Sequence, residues 1–244
     1  MIVTGGSRGI GAAIARLAGA HGYAVVVNYA SDTGAAQDVV AEIRGSGGSA
    51  IDVKADVSRE ADVARLFETA DTEFGAVTAL VNNAGISGGF ARVDQVSEKM
   101  LSRVFAVNVT GAFLCAREAV RRMSSEQGGR GGSIVTISSR AAQIGGGGEW
   151  VHYAATKGAL DTFTIGLSRE VALEGIRVNA VAAGLIATGM HAAAGSPDRT
   201  VRLAPGIPMR RAGKPEEVAE AVLWLVSPAA SYVTGAIVAV AGGR

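Results

Sequence analysis

This chain of 244 residues has one cysteine, three histidines and five prolines. The lone Cys115 cannot close an internal disulfide, and so few sulfur and imidazole ligands argue against a zinc centre. The net charge of +1 leaves no electrostatic footprint for nucleic acid or an anionic membrane surface. Hydrophobic residues reach 48%, yet no run approaches the ~20 consecutive apolar residues that a spanning helix needs. The N-terminus shows no basic segment leading into an apolar stretch and a small-residue cleavage site. These absences predict a soluble, reduced, cytoplasmic protein with neither nucleic acid nor membrane as partner. Glycine is what the chain has in excess, 34 residues, many of them where tight turns are needed.

Short apolar, β-branched runs alternate with longer helical patterns along the whole chain. The runs are Met1–Thr4, Ala24–Asn28, Ala50–Lys54, Ala79–Asn82, Ser133–Ser138, Arg177–Val181 and Ile237–Val240. Between them Ile10, Ile14 and Leu17 recur at helical spacing, as do Val63, Leu66, Phe67 and Ala70. Continuous apolar strands alternating with helices predict one α/β domain over 1–244, its parallel sheet of about seven strands covered on both faces. Ser58 and Ser97 are expected N-caps, and Pro215 suits a first helical turn that carries Glu216 and Glu217. Thr188–Lys214 has no clear periodicity, contains Pro197, Pro205 and Pro208, and reads as a loop or lid over a site.

The segment TGGSRGIG leaves the first strand and opens the first helix. Gly5, Gly9 and Gly11 allow a sharp turn and a close backbone approach, and Ser7, Arg8 and Ile10 complete the loop. A helix N-terminus behind such a loop attracts the phosphates of a dinucleotide. An acidic residue at the end of the second strand would accept hydrogen bonds from a free ribose hydroxyl and repel a 2′-phosphate. Here Asn28-Tyr29-Ala30-Ser31 occupies that place, with no carboxylate until Asp32, and Arg8 can pair with a phosphate. The expected cofactor is therefore NADP(H), with NAD(H) the alternative. Asp56-Val57 after the third strand suits an adenine amino group and ring, or a turn. Asn82-Asn83-Ala84-Gly85 after the fourth places small residues and an amide beside the cofactor, or forms a structural turn.

Tyr153 and Lys157 in YAATK are four residues apart, on one face of a helix. A phenol is a poor acid–base near neutral pH, and a fixed ammonium beside it would bring it into range. Ser138-Ser139 closes an apolar run upstream, and one of these hydroxyls is available to a carbonyl oxygen. Together with the glycine loop these residues describe carbonyl–alcohol redox chemistry, the hydride belonging to the cofactor.

The chain resembles the short-chain dehydrogenase/reductase family, and within it the 3-oxoacyl-carrier-protein reductase-like members. The matching motifs run from Thr4 to Gly243: TGGSRGIG, NNAG, Asn108 in VNVTG, ISS ending at Ser139, YAATK, and RVNAVAAG followed by Ile186 and Thr188. The resemblance implies a doubly wound Rossmann fold with Tyr153 as general acid in reduction and general base in oxidation. It implies that Lys157 lowers the Tyr153 pKa and binds the ribose, that Ser139 orients the substrate oxygen, and that Asn108 holds a water linking Lys157 to a proton relay. Gly184, Ile186 and Thr188 would complete the nicotinamide side, along with Ala84 and Gly85.

Three departures stand out. Ala183-Gly184 replaces a proline-glycine pair, Ala241-Gly242-Gly243 replaces aspartate-glycine-glycine, and the chain starts almost inside its first strand, which suggests a trimmed N-terminus. Trp150, the glycines before it and Gly88–Phe90 are expected to border the substrate pocket, with Met190, His191, Leu203 and Met209 as further candidates and His152 as wall. Arg210-Arg211 would meet an acidic carrier protein or a phosphorylated substrate, or simply water. Broad apolar stripes along Glu98–Met123 and Tyr153–Glu174 predict a second covered surface, and the family's habits make that a homotetramer. The substrate expected is a small carbonyl compound or secondary alcohol: a 3-oxoacyl thioester, a sugar or another small molecule.

Overall fold

The computed structural model describes every residue, Met1–Arg244. Seven strands form one sheet in the order β3-β2-β1-β4-β5-β6-β7, every pair parallel. They are β1 (Ile2–Val3), β2 (Ala24–Tyr29), β3 (Ser49–Lys54), β4 (Ala79–Asn82), β5 (Gly132–Ser139), β6 (Ile176–Ala183) and β7 (Ile237–Val240). The expected strands are all present, and the strand order reverses between β1 and β4, where a doubly wound sheet opens a crevice at its carboxyl edge.

Side chains along each strand alternate between two cores. Val3, Val25, Val27, Val81, Val135 and Val181 face one layer, where they meet α1 (Gly9–Ala20), α2 (Thr33–Gly45) and α10 (Pro215–Val226). Ile2, Val26, Leu80, Ile134 and Val178 face the other, against α3 (Glu60–Phe74) and α5 (Gly111–Met123), with α7 (Val151–Glu170) alongside. A pleat of period two thus accounts for three layers, because both faces carry branched apolar groups. Leu66 and Phe67 on α3 are fully buried, and each such side chain contributes about 1.5–3 kcal/mol.

Ser97 caps α4 (Glu98–Phe105) by accepting from the Met100 amide at 3.2 Å. Ser58 does not cap α3. It binds Asp56 instead, at 2.6 Å, and Asp62 reaches back to the Asp56 amide at 2.9 Å. Between α4 and α5 lies a single π-helical stretch, Ala106–Thr110, so that Glu98–Met123 is one continuous helical run. That run has the length and mean hydropathy (1.2) of a membrane span; its Cys115, Ala116, Ala119 and Met123 pack into the core beside the sheet. The expected lid is not structureless: Met190–Ala193 (α8) and Arg199–Leu203 (α9) are short helices, and Ile186 pairs with Gly213 across its base.

Candidate active site

The glycine loop is shaped by exclusion. Gly5 and Gly9 have φ of +60° and +55°, a region that side-chained residues avoid. A Cβ on Gly11 would lie 2.3 Å from the Gly5 carbonyl, so only glycine lets α1 start this close to the turn. Asn83 ties this loop to the turn after β4, its side-chain amide donating to the Thr4 and Gly5 carbonyls at 2.8 and 3.0 Å. Thr4 Oγ1 in turn accepts from the Asn83 and Ala84 amides. Thr188 borders Gly9, its methyl 3.4 Å from where a Cβ would be. Loop, post-β4 turn and post-β6 segment therefore meet at the carboxyl edge of the sheet.

The end of β2 differs in detail from the sequence expectation. Asn28 is buried, with its amide donating to the Val53 and Ala55 carbonyls and its Oδ1 accepting from Gly5. Tyr29 belongs to the core. Both side chains are thus used by the fold. Asn82 is likewise committed, donating to the Ala112 carbonyl at 3.1 Å. Asp32 caps α2 through the Ala35 amide. Arg8 is exposed at the start of α1 and pairs with no carboxylate. Asp56 already holds Ser58 and Arg103. Burial works to raise its pKa, and these hydrogen bonds outweigh it and hold the carboxyl below its usual value. Val57 is buried against Gly111. A bare, positively terminated loop with a free guanidinium beside it fits a dinucleotide phosphate.

On α7, Tyr153 and Lys157 are both buried. The two serines of ISS part company here. Ser138 binds Asp161 at 2.5 Å, inside the fold. Ser139, at the strand end, donates to the Ala183 carbonyl at 3.4 Å and accepts from the Ala141 amide at 3.1 Å, and it lies near enough to the Tyr153 phenol to favour its ionisation. Burial pushes the Tyr153 phenol up to about 12, opposed by Ser139. The Lys157 Nζ donates to the Ile137 carbonyl at 2.6 Å and lies 5.5 Å from the Tyr153 ring centre. Burial pulls the Lys157 ammonium down to about 8, against the attraction of Asp161. Protein groups alone leave the phenol a weak acid.

Asn108 sits in the π-helical stretch, a distortion frequent at functional sites. Its Oδ1 accepts from the Ile86 amide, and its Nδ2 donates to the Ile86 carbonyl and Thr156 Oγ1. A Cβ on Gly85 would stand 3.4 Å from Asn108 Oδ1 and 3.7 Å from Lys157 Nζ, so a glycine there keeps the gap between amide and ammonium open. Gly184 is the more tightly constrained of the two, because a Cβ would meet Ala241 Cα at 2.6 Å.

A family model described as Enoyl-(Acyl carrier protein) reductase matches residues 5–244. Uncharacterized oxidoreductase YgfF of Escherichia coli (strain K12) is 51% identical, covering 100% of this chain and 98% of that protein. Glucose 1-dehydrogenase 2 of Bacillus subtilis (strain 168) is 43% identical over 99% of this chain and 93% of its own length. The 3-oxoacyl-[acyl-carrier-protein] reductase of Synechocystis sp. is 40% identical over 99% and 95%. A solved short-chain type dehydrogenase/reductase from Mycobacterium marinum superposes with a TM-score of 0.93 at 34% identity, over 99% of this chain and 93% of that one. The chain belongs to the short-chain dehydrogenase/reductase family.

In this short-chain dehydrogenase/reductase, an oxidoreductase by family that uses a nicotinamide dinucleotide, several site residues escaped sequence reasoning. Asn83 stood in NNAG, but its tie to the glycine loop spans 79 positions. Thr156, the partner of Asn108, is a plain threonine in YAATK. Arg199 and Glu149 form a two-pronged ion pair at 2.9 and 2.5 Å beside Trp150, and no motif marks either. Trp150 stacks on Phe90 at 4.9 Å and borders Tyr153 at 5.2 Å. His191 lies 6.4 Å from the Trp150 ring. His152 turns to the Ser87 carbonyl. Met209 instead lines a cavity of about 230 Å³ with Leu185, Ile186 and Gly242, and that cavity includes none of Ser139, Tyr153 or Lys157. Arg211 is held by Glu217, which leaves Arg210 as the free half of that basic pair.

Proposed function

We propose that this protein interconverts a secondary alcohol and a ketone, with Tyr153 as the proton-transferring group and NADP(H) as cofactor. The observation that carries the reading is the placing of Ser139, at the carboxyl end of β5, near the buried phenol of Tyr153 on α7, with Lys157 buried one helical turn away. The glycine loop, Arg8, Ala84, Gly85, Gly184, Ile186 and Thr188 would hold the dinucleotide, with main-chain groups of Asn28, Tyr29, Asp56, Val57 and Asn82 along its adenosine half. When bound, the nicotinamide supplies or accepts the hydride. Ser139 orients the reacting oxygen. Tyr153 donates its proton to that oxygen in reduction and withdraws it in oxidation. Lys157 stabilises the phenolate and binds ribose hydroxyls, and Asn108 keeps the space beside Lys157 in which a water can connect to solvent. The Thr188–Lys214 segment covers the substrate.

Replacing Tyr153 by Phe removes the proton donor without disturbing the buried ring. Turnover should fall by about 10²–10⁴-fold while dinucleotide binding, followed by fluorescence titration, stays near normal. Activity within a few-fold of the parent would defeat the reading. The preference for NADP(H) rests on the unpaired Arg8 and on the lack of a free carboxylate at the end of β2. Arg8→Ala should raise KM for NADPH and leave KM for NADH unchanged; equal efficiency with both cofactors in the parent enzyme would reverse the assignment. A 3-oxoacyl thioester and a sugar are both substrate candidates, since relatives named for each match along nearly their whole length.

A further inference from the structure

Arg199 is unusual among the arginines of this chain. Its residue is 4% exposed, and its Nε has no hydrogen-bond partner. The guanidinium carbon lies 4.6 Å from the Trp150 ring centre and 5.0 Å from that of Phe90. Trp150 in turn lies 5.2 Å from Tyr153, so a single indole separates a buried cation from the proposed proton donor. A guanidinium stripped of water needs an anion, and its flat fork matches a carboxylate. Aromatic faces hold it in a fixed plane. Here the anion is Glu149, bound through both terminal nitrogens.

Glu149 is suited to leaving. Its side chain is 38% exposed, so water receives it at small cost. The carboxyl is held below its usual pKa first by the hydrogen bond from Arg199, with Arg202 and Arg244 adding their charge. Arg199 has no such freedom, because it is buried with its guanidinium against Phe90 and Trp150.

Resting on the alcohol–ketone reading of Tyr153, we infer that Arg199 determines substrate specificity by binding the carboxylate of a keto acid or hydroxy acid, Glu149 holding that place until the substrate arrives. One carboxylate replaces another on the same fork, so the buried cation is never left unpaired. A neutral ketone has nothing to offer the guanidinium and must bind with the Arg199–Glu149 pair intact. The reach across one indole suits a small ring or a short chain between carbonyl and acid.

The test compares 4-oxocyclohexanecarboxylate with its methyl ester and 4-oxopentanoate with its methyl ester, with cyclohexanone as an uncharged reference. The parent enzyme should favour an acid over its ester by at least about tenfold in kcat/KM. Arg199→Met should remove that preference by raising KM for the acid at least about tenfold more than KM for its ester. Glu149→Gln, which keeps the fold's contact but not the competing charge, should lower KM for the acid. Binding is read separately, as a rise in melting temperature with acid in the parent and none in Arg199→Met. Equal use of acids and esters would overturn the inference. So would an Arg199→Met variant that raises KM for acid, ester and cyclohexanone alike, since that is the mark of a lid fastening. If Arg199→Met does not fold, an unchanged acid KM in Glu149→Gln decides against it. Where no ketone is turned over, the absence of any acid-induced thermal shift still sinks it. Cyclohexanone turnover that disappears in Tyr153→Phe keeps the alcohol–ketone reading standing whatever Arg199 does.

Discussion

A buried lysine is a liability to the fold unless something else needs it. Lys157 has its ammonium pulled down to about 8 by burial, which means that at neutral pH the protein carries a desolvated charge held by the Ile137 carbonyl and the attraction of Asp161. A lysine whose folded pKa lies below its unfolded value costs most stability below the folded pKa. Stability recovers as pH rises from about 8 towards the ordinary 10.5, because the unfolded chain then binds the extra proton. Lys157→Met should therefore raise the melting temperature at pH 7 while abolishing turnover, and its advantage should shrink in calorimetry repeated above pH 10. A variant less stable than the parent would show that the ammonium stabilises the fold. Tyr153 carries the opposite tension. Its phenol is pushed up to about 12 by burial, so the charge that brings it into working range has to come from beyond its present hydrogen bonds.

Between elements, the site depends on ties that run across the sheet edge and not along the chain. Asn83 joins the post-β4 turn to the glycine loop, and Asn108 joins the post-β4 loop to α7 through Ile86 and Thr156. Each uses a single amide to satisfy main-chain groups that turns leave open. Asn83→Ala leaves the Thr4 and Gly5 carbonyls short of a donor, and the loss should amount to about 1–3 kcal/mol in urea unfolding. Dinucleotide affinity should fall along with it, because the phosphate-facing amides of the glycine loop lose their brace. Weakened stability with unchanged affinity would mean that the loop holds its shape without Asn83.

At the scale of the whole molecule, one face of the second helical layer is left uncovered. Leu101 and Phe113 are 42% and 49% exposed, with Val151 and Ile165 also open on α7. Phe113 rests on Phe163 at 4.1 Å, bridging α5 and α7. Val104, Ala116 and Val171, which the same stripes include, are buried inside the subunit. The stripe thus divides between an internal core and an apolar outer surface, as expected of helices that pack against a second copy. Our reading is a homotetramer assembled through α4, α5 and α7. Light scattering at micromolar concentration should give four times the chain mass, and Phe113→Asp should shift it towards smaller species. A monomeric parent would end this reading.

Sequence periodicity was enough to predict the seven strands, the layering and the glycine-loop turn, because strand alternation and glycine conformation are local properties. The Tyr153–Lys157 pairing was legible for the same reason, since one helical turn fixes it. Other features depend on which residues the chain brings together over long separations. Residue type alone does not separate Ser139 from Ser138; the resemblance pointed to Ser139, and in the fold Asp161 on α7 claims Ser138. Asn28 and Asn82 read as cofactor-binding positions, and the fold gave their side-chain amides inward partners, so that any role there falls to their main-chain groups. Ser58 read as a cap until Asp56 took its hydroxyl. Arg199 and Glu149, fifty residues apart, carried no mark at all. Local sequence determined which elements form and where the hydroxyl proposed to react sits on its helix. Tertiary packing decided which polar groups remain free to work, because a hydrogen-bonding side chain is available to a ligand only if no distant backbone has already claimed it.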